Sequence, residues 1–136
     1  MTVRPPLILA AVFLLVAGSA LAQTATETAG FTSFEAENFA AFVSHGSSAT
    51  WSTGSSVAGF SGTGYVEALP NVGLTIDNNW TTTGPELQYT VSFSTPGTYY
   101  VWVRGYANVN TDASFHTGLD GVSNSAARMT LTQFNS

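Results

Sequence analysis

The sequence predicts an all-β domain, a two-sheet β-sandwich or jelly roll preceded by a signal-peptide helix, and three observations predict it. Residues 86–121 hold two apolar-polar alternating runs that meet at Thr95-Pro96-Gly97 and lead to a third. Leu87, Tyr89, Val91 and Phe93 share one face at period two, and Tyr99, Val101 and Val103 do the same on the next run, so each run has a face to bury. Thr, Ser, Gly, Val, Tyr and Phe are prominent and Lys is absent. Outside the first 22 residues no window sustains a helical i, i+3, i+4, i+7 pattern; the one competitor, Glu35 to Val43 with Phe39 and Phe42, is stopped by Gly46 and its serines.

Residues 1–22 read as a signal peptide: Arg4, an apolar run from Leu7 to Ala17, then Ala20-Leu21-Ala22 ahead of Gln23. The apolar run is about half of the ~20 residues a bilayer span needs, so cleavage after Ala22 is expected rather than an anchor. With no cysteine to acylate, a lipoprotein anchor is excluded, and a secreted, extracellular or periplasmic protein without membrane association is expected. Residues 23–31 form a Thr/Ala-rich flexible leader. Residues 32–136 form one domain, large enough for a two-layer core.

Within that domain the first strand is expected at Thr32 to Asn38, followed by a Ser/Gly-rich loop from Ser44 to Gly59 that carries Trp51 and has room for a short strand. Gly64 to Leu69 alternates as a second strand, and Asn71 to Gly84 is a polar loop carrying Trp80. The meander comes next, its Pro96-Gly97 pair suited to a type II turn with φ > 0 at Gly97. Ala127 to Phe134 is the final strand.

Charge narrows the partners. Beyond Ala22 only Arg104 and Arg128 stand against eight carboxylates, a formal charge of −6 where the whole chain has −5. Two isolated arginines make no basic face, so nucleic acid is excluded and anionic membranes are disfavoured. A neutral ligand or a hard cation such as calcium suits this surface. Absence of cysteine removes disulfides, zinc thiolate sites and thiol catalysis together.

Glu35-Ala36-Glu37, on a strand, would put two carboxylates about 7 Å apart on one side, which invites a cation. The bland alternative is a solvated strand face. A glycosidase pair is disfavoured, because neighbours on one strand share one environment whereas a catalytic acid and base need opposed ones. Gly59-Phe60-Ser61-Gly62-Thr63 lacks the last glycine of a nucleophile elbow, and Gly62-Thr63-Gly64 leads into a strand, not the helix of a dinucleotide fingerprint. His45 and His116 have no ligand spacing; His116 could line a binding face or be a partly exposed strand residue.

Sugar binding in water stacks aromatic faces on the apolar faces of pyranose rings, ringed by amides and charged groups. Trp80, after Asp77-Asn78-Asn79, is the leading candidate, with Asn79 beside it; Trp51 is second. Either tryptophan could instead plug one end of the sandwich. Trp102 shares a face with Tyr100, Arg104 and Tyr106 and is expected to pack in the second layer, leaving Tyr106 and Asn108 at the strand's end as cleft residues.

The ordered set Phe34-Glu35-Ala36-Glu37-Asn38, GFSGTGYVEA at 59–68, TPGTYYVWVRGYA at 95–107 and GLDG at 118–121 resembles the β-jelly-roll carbohydrate-binding modules of the family 6 and family 35 type, from Phe34 onward. The resemblance implies a galactose-binding-like fold and a non-catalytic role on a polysaccharide or glycan, beside a catalytic or surface domain of a larger protein. It also implies a structural calcium held by Glu35 and Glu37. Such modules continue for several strands past the Leu-Asp-Gly turn, so it implies a domain incomplete at its C-terminal end. Two readings compete with sugar binding: a structural or adhesive sandwich domain of a surface protein, and a fragment of a sugar-active enzyme.

Overall fold

The computed structural model describes residues 24–107 and 114–131. In chain order the strands are β1 (Thr24–Thr26), β2 (Ala41–Val43), β3 (Thr50–Gly54), β4 (Tyr65–Leu69), β5 (Glu86–Gln88), β6 (Thr90–Ser92), β7 (Ser114–Leu119) and β8 (Val122–Thr130); a single turn of helix, α1 (Trp80–Thr83), separates β4 from β5. The fold is all-β. Its strands pair as four two-stranded sheets, β1 with β6, β2 with β5, β3 with β4 and β7 with β8, the first parallel and the others antiparallel.

The two hairpins follow local chemistry. β7 and β8 are joined by Asp120-Gly121, with φ of 52° and 72°, the two positive values that a type I′ turn requires. A register shift between His116 and Gly118 accommodates the longer β8. In the other hairpin Thr50 pairs with Leu69 and Gly54 with Tyr65. The Tyr65 ring lies over Gly54 and meets Phe60 at 5.9 Å between centroids, while its hydroxyl is 3.1 Å from Ser56 Oγ. An aromatic side chain thus covers the strand position that lacks one.

The remaining pairs are long-range and held by polar ties. β1 lies in the stretch expected to be a flexible leader, and Glu27 is the reason it is ordered. Buried at 3% exposure, its carboxylate accepts from Gly30 N through Oε1, and from Ser94 N (3.0 Å), Ser94 Oγ and Thr95 N (3.1 Å) through Oε2. The hydroxyl of Ser94 leads these donors in holding the Glu27 carboxyl down at about 2.

That tie redirects the meander. The expected Leu87–Phe93 strand is broken at Tyr89 into β5 and β6, which pair with β2 and β1, and neither pairs with the run from Tyr99 to Val103. Pro96-Gly97 makes no type II turn, since Gly97 is not among the residues of positive φ. Burial, then the nearby Glu37 charge, push the Tyr89 phenol up to about 12, and its hydroxyl donates to Ala36 O at 2.8 Å.

The expected strand from Thr32 to Asn38 is also absent. Asn38 N donates to Glu35 O at 3.1 Å and closes a turn across Ala36 and Glu37. Among the described residues no large side chain is fully buried. Trp102, expected in the second layer, is 90% exposed. Of the other sequence expectations, the signal segment 1–22, Asn108 and residues 132–134 of the final strand lie outside the described residues.

Candidate functional site

Aromatic and polar side chains converge where the loop before α1 meets the β7–β8 hairpin. Asn79 takes a left-handed conformation (φ 53°), and its carbonyl accepts from the amides and hydroxyls of Thr82 and Thr83, which fixes α1 and so the position of Trp80. The Asn79 side chain makes no capping bond. Trp80 stacks on His116 of β7, with ring centroids 4.8 Å apart and planes 22° from parallel. Asp77 lies between an imidazole and a guanidinium: Oδ1 is 3.8 Å from His116 Nε2 and Oδ2 is 3.7 Å from Arg128 Nη2. Arg128, cross-strand partner of His116, also donates to Ser114 Oγ at 3.0 Å.

The arrangement is a half-exposed indole backed by an imidazole, flanked by a carboxylate acceptor, a guanidinium donor and a hydroxyl. His116 is mostly covered, with 14% of its side chain exposed, whereas Asp77 and Arg128 keep 41% and 50% exposed to outside partners. A few directional polar groups around an apolar face are what a polyhydroxylated ligand needs for orientation. Sequence reasoning named Trp80 and Asn79 here but not Arg128 or Ser114. The Asp-Gly turn alone would set residue 125 opposite His116; the register shift between His116 and Gly118 brings Arg128 there instead, and no local signal announces it.

A second polar cluster surrounds Glu37. Its Oε1 accepts from Thr63 N (3.1 Å), Thr63 Oγ1 (3.2 Å) and Gly64 N (3.1 Å), and Glu35 also approaches Gly62, whose φ of 73° no branched residue would adopt readily. Burial pushes the Glu37 carboxyl up, but its own amide and the donors of Thr63 and Gly64 outweigh that and hold it below its ordinary value. An open polar depression of about 370 Å³ adjoins it, lined also by Asn38, Thr53 and Ser55. The two glutamates therefore meet across a glycine loop, not along a strand face. Calcium takes about six to eight oxygens. Here Glu37 Oε1 already faces three donors, and among the described residues no third acidic or histidine side chain joins the pair, so backbone carbonyls and water would supply most of a shell.

The model of the glycosyl hydrolase family 115 C-terminal domain matches residues 26–133, which takes in both clusters. The chain belongs to this family. It is also 33% identical over 70 residues to a protein of Formosa agariphila named only as uncharacterized, an alignment covering 45% of this chain and 17% of that protein. The chain thus spans less than a fifth of that relative's length. No solved structure matches it.

Within this glycosyl hydrolase family 115 C-terminal domain, the other expected binding residues lie apart in role from Trp80. Trp51 sits in β3, not in a loop; it is half-buried and donates its indole N–H to Pro85 O at 2.9 Å, tethering the segment after α1. That bond occupies its N–H. Tyr106 is 72% exposed on the run after Gly97.

Proposed function

We propose that this family 115 C-terminal domain is a non-catalytic carbohydrate-binding module, of the kind the family 6 and 35 resemblance implies, that holds a larger secreted glycan-active protein on a neutral polysaccharide. The single observation that carries the reading is the Trp80–His116 stack with Asp77 and Arg128 beside it. The indole face takes the apolar face of a pyranose ring, the Asp77 carboxylate accepts from its hydroxyls, and Arg128 donates to them. His116 works from behind, fixing the tilt of the indole. Secretion through residues 1–22 places the domain where polysaccharide is found.

Affinity-gel electrophoresis against a panel of neutral polysaccharides tests this. The chain should be retarded by at least one glycan, and Trp80→Ala should weaken that binding at least about tenfold, a loss of roughly 1.4 kcal/mol, with circular dichroism unchanged. A folded chain that no glycan retards would remove the proposal. Binding by a single domain is expected to be weak and to gain from multiplicity.

Calcium at Glu35 and Glu37 belongs to the same proposal, supported by the approach of both side chains to Gly62. Saturating calcium at 100 times its Kd should stabilise the fold by about 2.7 kcal/mol. The thermal midpoint should therefore rise with calcium in the wild type and stay fixed in Glu35→Gln. A midpoint indifferent to calcium in the wild type would mean that the glutamates serve only to order the glycine loop.

A further inference from the structure

Beneath the Trp80 indole lies a side chain able to change its charge. His116 Nε2 is 3.8 Å from Asp77 Oδ1, and Asp77 Oδ2 is 3.7 Å from Arg128 Nη2. Both separations are within reach of charge but beyond hydrogen-bond length. Among the described residues no hydrogen bond commits the Asp77 carboxylate, which stays 41% exposed and open to a ligand. We infer that His116 is a proton switch on this site: on taking a second proton the imidazole draws Asp77 onto itself, and bound polysaccharide is released. The inference rests on the glycan reading of the Trp80 site and adds its regulation.

The surroundings of the imidazole decide what a proton does there. Only 14% of the His116 side chain is exposed, and one ring face is covered by Trp80. A charge so covered needs a partner. Among the described residues, α1 brings the uncharged indole, β7 itself Ser114 on the same side, β8 the cross-strand Arg128, and the loop before α1 Asp77. Asp77 is the one carboxylate in that set, and closing 3.8 Å to a charge-assisted hydrogen bond takes a movement of about 1 Å. Arg128 carries the same charge as an imidazolium and competes for the same carboxylate. At 50% exposure, however, its guanidinium can turn to water, which the covered imidazole cannot do.

For the ligand the two charge states differ in kind. With a neutral imidazole, Asp77 accepts from sugar hydroxyls while Arg128 donates to them. With an imidazolium, Asp77 Oδ1 is occupied, and the sugar loses a hydrogen bond to a charged group, among the stronger single contacts open to a polar ligand. The positive charge also lies against the rear of the indole and attracts the π density that the pyranose C–H groups meet on the front, so stacking weakens as well. Both effects have one sign: the site holds sugar at neutral pH and lets it go in acid. His45 is placed differently, its Nε2 already within hydrogen-bond distance of Glu86 Oε2 at 3.1 Å.

Affinity-gel electrophoresis of the purified chain at about pH 8 and about pH 5, against galactomannan, xyloglucan and mixed-linkage β-glucan, tests the switch. That interval spans the charge change of imidazole side chains and stays above the 4.5 at which the Glu27 tie begins to erode. Wild type should bind about tenfold more weakly at the lower pH. His116→Phe, which keeps a ring under the indole, should show one Kd at both values, whatever its size. Asp77→Asn, at an exposed position, should lose most of the pH dependence, and His45→Gln should keep all of it. Wild-type binding that pH does not alter overturns the inference and leaves the glycan reading standing. So does a dependence that persists in His116→Phe or Asp77→Asn, or that disappears in His45→Gln. A folded chain that none of these polysaccharides retards at either pH fails the glycan reading, and the release with it.

Discussion

Glu27→Gln is expected to lower the thermal midpoint at neutral pH and to abolish most of its fall between about pH 4.5 and about pH 2. The wild-type carboxylate satisfies donors from Gly30, Ser94 and Thr95. A carboxamide keeps one acceptor oxygen and turns an NH₂ toward the remaining N–H groups, leaving a donor without a partner at a buried site. The pH dependence follows from linkage. The Glu27 carboxyl titrates at about 2 in the fold, against an ordinary value of 4.5. The unfolded chain thus binds its proton first as pH falls. The stabilisation is complete above pH 4.5, erodes below it and is gone once the folded group protonates near pH 2. Thermal melts across that window should show a steep wild-type slope and a shallow one for the variant. Equal slopes would mean that other carboxylates dominate the acid response.

Gly64→Ala should cost about 1–3 kcal/mol of stability, as overpacking at an unyielding site does. Gly64 is buried, and a Cβ there would lie 2.5 Å from the carbonyl oxygen of Gly54, a backbone atom pinned by the Gly54–Tyr65 pairing. The oxygen cannot rotate away, so the hairpin must open, and the amide that Gly64 gives to Glu37 moves with it. Gly54→Ala provides the comparison. Its Cβ would meet the Tyr65 ring at 2.7 Å, and a side chain can swing aside. Urea titration should therefore order the midpoints wild type, Gly54→Ala, Gly64→Ala from highest to lowest. A reversal of the two variants would show that the Tyr65 ring, not the Gly54 carbonyl, is the rigid neighbour.

How far the sequence could be read depended on whether the deciding interaction was local. Alternation and composition disclosed the all-β class, and Asp120-Gly121 disclosed its hairpin, because turn chemistry is settled by the turn's own residues. Trp80 was expected in a polar loop, and it opens the single turn α1 within that stretch. The partner strands of β5 and β6 were not legible, since Leu87–Phe93 alternates well enough to pair with anything and Glu27, 67 residues before Ser94, decides the outcome. The Trp51 tether was hidden for the same reason. Nothing within ten residues of it announces the Pro85 carbonyl that occupies its N–H. Trp102 failed in the opposite direction: a period-two face implies burial only when a neighbouring strand is present to bury it.

The ties that set this architecture have a consequence for how it is reached. Glu27 to Ser94, Ala36 to Tyr89 and Trp51 to Pro85 span 67, 53 and 34 residues. Ordering entropy for those long loops must be met before any of the bonds can form, whereas the β7–β8 hairpin closes over two residues. Non-local pairings of this kind slow folding relative to local ones. On that ground the β7–β8 hairpin is expected to form before the Glu27 latch. Until it closes, the edges of β1 and β6 are open to other chains.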